Sequence, residues 1–243
     1  MTIIKGCFSD FIKIRRTMLL PLYVLFPAIV SVLFLVYYGR AGYRTIQDAR
    51  LFFLLLQICY PVFVGIAVPI LTNLDTGIHG IQNVLGLAAS RKSIYLGKLV
   101  FLLFLSAIDM VLYEVCFYVG IQWLLGAFAA DFKFYITVFY ISMISRLFIY
   151  VFHLYIAFRY GSCISVLAGI FGTILAGLLE NPIGDRIWEA IPWEWGIRFL
   201  KTYFGLLHDS VLGGVVVLSL LTAIVLSLSI LWFDRWEGKR IGE

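Results

Sequence analysis

Six long apolar stretches run through this chain of 243 residues, and no connection between them is large enough to be a soluble domain. They span residues 18–38, 51–71, 99–125, 134–158, 163–179 and 211–233. Each approaches or exceeds the roughly 20 residues that a helix needs to cross about 30 Å of hydrocarbon. With 62% hydrophobic residues, 14% charged residues and a mean hydropathy of +0.99, the chain carries more apolar surface than a water-soluble fold could bury. In lipid every backbone polar group must find an internal partner, so the spanning segments must be helices. The expected fold is an all-α membrane protein with six transmembrane helices in one domain over residues 18–233. An amphipathic segment precedes it at 1–17, and a short cytoplasmic tail follows at 234–243.

The net charge of +5 speaks to topology and not to nucleic acid. With the N-terminus inside, eleven Lys and Arg residues fall on the cytoplasmic side, from Lys5 to Arg240, and seven fall outside. Both termini are therefore expected on the cytoplasmic side of a multi-pass membrane protein. Residues 1–17 lack the apolar core and cleavage site of a signal peptide, so insertion is expected to rely on the first span. The four cysteines lie in or beside apolar stretches at no metal-ligand spacing and are expected to be small buried thiols.

Within residues 1–17, Ile3, Ile4, Cys7, Phe8, Phe11 and Ile12 recur at helical spacing, with Lys5, Ser9, Lys13 and Arg16 largely elsewhere. The pattern suits a helix lying in the membrane interface; a basic lead-in that only sets topology is the plainer alternative. Between the second and third stretches, residues 75–89 can form a short helix with Asp75 or Thr76 as N-cap and Ile78, Ile81 and Leu85 on one face. A basic cluster, Ser90–Lys98, follows at the foot of the third span. Such an apolar stripe presented in the cytoplasm is a docking element for a partner or for the membrane surface.

The fifth stretch carries Gly161, Ser165, Gly169, Thr173 and Gly177 at intervals of four. Small residues at this spacing let helix backbones approach closely in lipid. Either another span of the same chain or a second subunit satisfies that row. Residues 180–209, on the outer side, hold Trp188, Trp193 and Trp195 among acidic and basic residues, and Pro192 divides them into two short amphipathic pieces. Trp prefers the headgroup level, so this segment is expected to lie along the outer leaflet.

Ionisable residues inside spans are expensive and therefore informative. Asp109 and Glu114 fall in the third stretch, Arg146 and His153 in the fourth. These spans run antiparallel, which sets Arg146 at the depth of the third-span carboxylates. The resulting charge pair either holds two helices in register or marks a proton or substrate pathway. His153 reads as a hydrogen-bonded packing residue. The chain has three histidines, none in a metal-binding repeat, and no GxSxG, so no catalytic or metal residue is assigned and the chain is not expected to be an enzyme. Gly86–Ser93 imitates a phosphate-binding loop, but Arg91 stands where that loop needs its second glycine. Any ATP-driven work is therefore expected from a separate polypeptide that binds the ATP and Mg²⁺.

Four groups of residues together resemble one family. They are Phe8-Ser9-Asp10-Phe11-Ile12-Lys13-Ile14-Arg15-Arg16-Thr17, then Pro27 with Phe34-Leu35-Val36-Tyr37-Tyr38, then Gly77 to Gln82-Asn83-Val84-Leu85 with Ser90-Arg91-Lys92 and Gly97-Lys98, and finally Ile191-Pro192-Trp193. In this order and spacing they are similar to ABC-2-type permeases. Among those, the likeness is greatest to the lantibiotic immunity transporters, in particular their G-type, MutG-like subunit, and it covers most of the chain. The resemblance implies a type V exporter-like permease fold, with an N-terminal elbow helix and a cytoplasmic coupling helix. It also implies a heterodimer with a related E-type permease above two copies of a cytoplasmic ABC ATPase. The implied task is expulsion of a pore-forming antimicrobial peptide from the producer's own membrane. On that likeness Asp75, Ile78, Ile81, Gln82, Asn83 and Leu85 belong to the ATPase-coupling element, and Asp75 stands where relatives often carry Glu. The glycine row is the candidate subunit interface, and Trp188, Trp193 and Trp195 are the substrate-facing residues. The competing readings are an ABC-2 permease for a drug or lipid, and a membrane immunity protein that sequesters the peptide without transporting it.

Overall fold

The computed structural model describes residues 10–15, 17–41, 46–76, 90–124, 130–208 and 210–236. Among these residues the structure is helical, with no strand. Five consecutive long helices, α1 (Leu19–Ala41), α2 (Ile46–Thr76), α3 (Arg91–Val119), α4 (Phe132–Tyr160) and α5 (Ser162–Leu179), are followed by the short α6 (Trp195–Tyr203) and by α7 (Leu212–Asp234). All but α6 are long and apolar enough to cross a membrane, so the six expected spans are present. The third differs most from its sequence boundary. Its helix begins at Arg91, after Ser90 at the N-cap and about two turns before the apolar stretch, and runs through Gly97 and Lys98.

The centre of the bundle is α2 and α4. In their spanning parts 67% of residues are buried, against 28% in α1 and α5 and 22% in α7. Helix α2 packs most extensively against α5, and α1 against α3, while α4 touches α2, α3, α5, α6 and α7. The outer helices turn Leu25, Ile29 and Leu33 of α1, Leu167, Phe171 and Leu178 of α5, and Leu220, Ile224 and Leu228 of α7 outward. That is the inside-out distribution a lipid solvent allows. Cys59 and Cys163 also face outward, contrary to the buried thiols expected, and where α2 and α5 meet the contact is made through smaller atoms.

Those smaller atoms form the α2–α5 contact. A Cβ built on Gly169 would lie 2.7 Å from the Pro61 carbonyl oxygen and 3.0 Å from the Val62 Cα, and one on Gly65 would lie 2.8 Å from the Ser165 carbonyl oxygen. Backbone therefore meets backbone. Pro61 within α2 removes one helical N–H and disturbs the ladder beside it. The neighbouring Val62 N–H donates to Thr173 Oγ1 at 3.2 Å. Thus Ser165, Gly169 and Thr173 of the small-residue row pack inside the chain and do not form the subunit interface first suggested for them. Gly177 touches Ile58 of α2 as well. Gly161 has a separate task. With φ of 95° it turns α4 into α5 in a single residue, and its N–H reaches back to the Ala157 carbonyl at 3.1 Å.

Candidate functional site

Helix α4 places Ser142, Arg146, Tyr150 and His153 at intervals of four, four and three, so they share one face. That face is buried against α2 and α3. Arg146 and Asp109 are both fully buried, with Arg146 Nη1 3.6 Å from Asp109 Oδ2. The guanidinium carbon lies 3.5 Å from the centre of the Tyr60 ring, a desolvated cation–π contact. Neither the guanidinium nor the carboxylate makes a hydrogen bond. The cation is therefore held by charge and by the aromatic face, and not by a bidentate fork.

Around this pair runs a line of hydroxyls from four helices. The Tyr60 hydroxyl is 2.7 Å from Ser106 Oγ and 2.8 Å from the Tyr150 hydroxyl, which is 2.8 Å from that of Tyr23. Ser106 and Asp109 sit three apart on α3 and so face the same way. One turn from Tyr60, Gln57 Nε2 donates to Ser142 Oγ at 2.6 Å. On the other side His153 Nδ1 is 3.0 Å from Ser165 Oγ, which donates to the Gly65 carbonyl at 3.1 Å. His153 is thus the hydrogen-bonded packing residue expected. The seam as a whole ties α1, α2, α3, α4 and α5 together through polar groups that lipid could not satisfy.

The sequence pointed to Asp109 and Arg146 and missed Tyr23, Gln57, Tyr60, Ser142 and Tyr150. The polar stripe on α4 was the available signal: Arg146 and His153 were read singly, and Ser142 and Tyr150 on the same face were not read with them.

The segment that joins α5 to α7 caps one end of this seam. A Cβ on Gly196 of α6 would stand 2.8 Å from Gln57 Oε1 and 3.3 Å from the Ser145 Cβ. The cap is anchored by Arg198, 2% exposed. Its guanidinium donates to Glu194 Oε2 at 3.2 Å, to the Leu179 carbonyl at 2.7 Å, to the Asn181 carbonyl at 3.3 Å and to the Asp185 carboxylate. Lys201 adds a bond to the Glu180 carbonyl at 2.7 Å and an ion pair with its carboxylate. Burial pushes the Glu194 carboxyl up to about 7, opposed by the Arg198 guanidinium.

This geometry corrects the substrate-facing role expected of the tryptophans. Trp195 is fully buried against Phe148, with its ring N–H donating to the Glu189 carbonyl at 2.9 Å. Trp188 is 5% exposed and fills the space beside Gly214, and Trp193 lies over Gly172 of α5. The segment folds onto the bundle because Arg198 ties its charged residues together, which frees its aromatic face to pack inward.

At the opposite end the structure gathers the foot of the bundle. The N-terminal turn buries Ile14 and Asp10, and the Lys98 ammonium lies 3.3 Å from the Asp10 carboxylate. Phe11 and Ile12 point outward. Arg91 donates to the Trp236 carbonyl at 2.9 Å and to the Asp234 carbonyl at 3.2 Å, and Lys92 is 3.6 Å from the Asp234 carboxylate. Asp75 falls in the last turn of α2. Ile78, Ile81, Gln82, Asn83 and Leu85 lie outside the described residues. Glu114, one and a half turns beyond Asp109, does not join the ion pair; it lines a groove between α3 and α4.

Fold and seam together define an all-α, multi-pass membrane protein whose two central helices are joined by buried polar groups. The chain matches no protein-family description, no curated protein and no solved structure.

Proposed function

We propose that this chain is the permease subunit of an ATP-driven exporter in a bacterial cell membrane, with both termini cytoplasmic. Its cargo on this reading is an amphipathic antimicrobial peptide, cleared from the membrane of the producing cell. The observation that carries the reading is the reach of α2 and α3. With 31 and 29 residues they are about 46 and 44 Å long, well over the thickness of hydrocarbon. Helix α2 ends at Thr76 and α3 begins at Arg91, and the start of α3 lies beside the N-terminal turn and the end of α7. A push on the segment that connects them would reach the seam at Tyr60 and Asp109 along α2 and α3. Basic residues concentrate at the same end (Arg91, Lys92, Lys98, Arg159 and Arg235), which supports placing it in the cytoplasm.

Motive force then comes from a separate ABC ATPase docked on residues 75–89, with the N-terminal turn acting as an elbow at the membrane surface. A related second permease would complete the translocation path. The test is Ile81→Asp with Leu85→Asp. Membrane insertion should be unchanged, while co-purification of the ABC ATPase and peptide-stimulated ATP hydrolysis are lost. Unchanged hydrolysis in the double variant would overturn the docking assignment. Protection that persists after the ATPase is disabled would favour sequestration without transport, and protection against drugs but not peptide would favour a different cargo.

A further inference from the structure

Between the C-terminal half of α3 and the N-terminal half of α4, at the end of α3 away from Arg91, a groove of about 540 Å³ opens onto the surface. Its walls are apolar and aromatic, with Val111, Val115 and Tyr118 on α3 and Tyr135, Phe139 and Tyr140 on α4. One charged residue stands in it. Glu114 is half-buried and lines the groove, its Oε1 accepts no hydrogen bond, and the Tyr135 hydroxyl beside the same groove is equally unpartnered. Among the described residues no basic side chain lies within 4 Å of the Glu114 carboxylate.

The two third-span acids differ in their surroundings. Asp109 has Arg146 at 3.6 Å, whereas Glu114 is a second acidic side chain at membrane depth with no basic group within 4 Å among the described residues. Helix packing does not explain this, since an apolar residue at 114 would fill the same wall without an unmet acceptor. A carboxylate framed by aromatic faces is the arrangement that recognises an organic cation, because ring faces attract positive charge and apolar walls accept the body that carries it. The volume is that of a site for a drug-sized molecule.

We propose that this groove binds a lipophilic monocation of drug size, which enters sideways from the bilayer and sets its charged centre against Glu114. The site stands on the groove alone and does not depend on the peptide-export reading.

The test uses the whole chain in lipid nanodiscs with tetraphenylphosphonium as probe and tetraphenylborate, nearly the same shape with the opposite charge, as its control. Saturable binding of the cation and none of the anion is expected. Glu114→Gln, close in size, should weaken cation binding by about tenfold or more, the usual effect of removing a charged partner. Val115→Trp, which leaves the carboxylate and narrows the groove, should weaken it as well and serves if Glu114→Gln does not fold. Equal binding of the two probes, or unchanged affinity in either folded variant, would overturn the proposal. So would absence of binding together with cross-linking of Val115→Cys between two copies, because a second subunit would then occupy the groove.

Discussion

Arg146→Ala removes the only cation within 4 Å of Asp109 among the described residues and leaves its carboxylate enclosed on all sides. Breaking a buried pair by deleting one partner typically costs about 3–5 kcal/mol, because the surviving charge stays desolvated. Loss of the cation–π contact with Tyr60 adds to this, on the order of 2 kcal/mol for a desolvated pair. At about 2–4 °C per kcal/mol for a chain of this size, the melting temperature in detergent should fall by roughly 10 °C or more. The double variant Asp109→Ala/Arg146→Ala suffers the same loss of the Tyr60 contact but strands no charge. It should therefore melt above the single variant, recovering about half of the deficit, and the difference isolates the stranded carboxylate. Arg146→Lys keeps a positive charge but lacks the planar face that lies on Tyr60, so it should fall between wild type and Arg146→Ala. Because membrane proteins often unfold irreversibly, the ranking should also be read from inactivation half-lives at one temperature. A double variant no more stable than Arg146→Ala would refute the pairing as the source of the stability.

Two further outcomes test the corrected parts of the fold. Gly169→Ala forces α2 and α5 apart, since its Cβ would meet backbone at 2.7 Å, and should cost about 1–3 kcal/mol; Gly177→Ala, whose Cβ meets only Ile58 at 3.8 Å, should be nearly neutral. Equal effects at the two sites in thermal melts would contradict the backbone-to-backbone contact. Glu194 is held up to about 7 by burial, above its usual 4.5, so the folded state binds the extra proton. Stability should decline as pH rises from about 4.5 to about 7 and level off above, and Glu194→Gln should flatten that decline in melts taken across the range. An unchanged slope in the variant would place the titrating group elsewhere.

The long apolar runs declared both the solvent and the helices, since only a segment that satisfies its own backbone can cross hydrocarbon. That Arg146 meets a third-span acid was legible for the same reason, because antiparallel spans fix relative depth, but the sequence left Asp109 and Glu114 both open. Three matters were decided by tertiary structure alone. The small-residue row could have met any helix, and only the backbone approach at Gly65 and Gly169, with the Val62 N–H on Thr173 beside Pro61, commits it to α2. The tryptophans looked like headgroup anchors because composition cannot tell an interfacial face from a packed one; Arg198, by gathering Glu194, Asp185 and two carbonyls, turns that face inward. Glu114 and Asp109 read alike as third-span acids, yet one lies against a cation and the other in a groove. Sequence spacing sets the face and depth of a side chain, whereas the partner it meets there depends on how the helices are arranged around it.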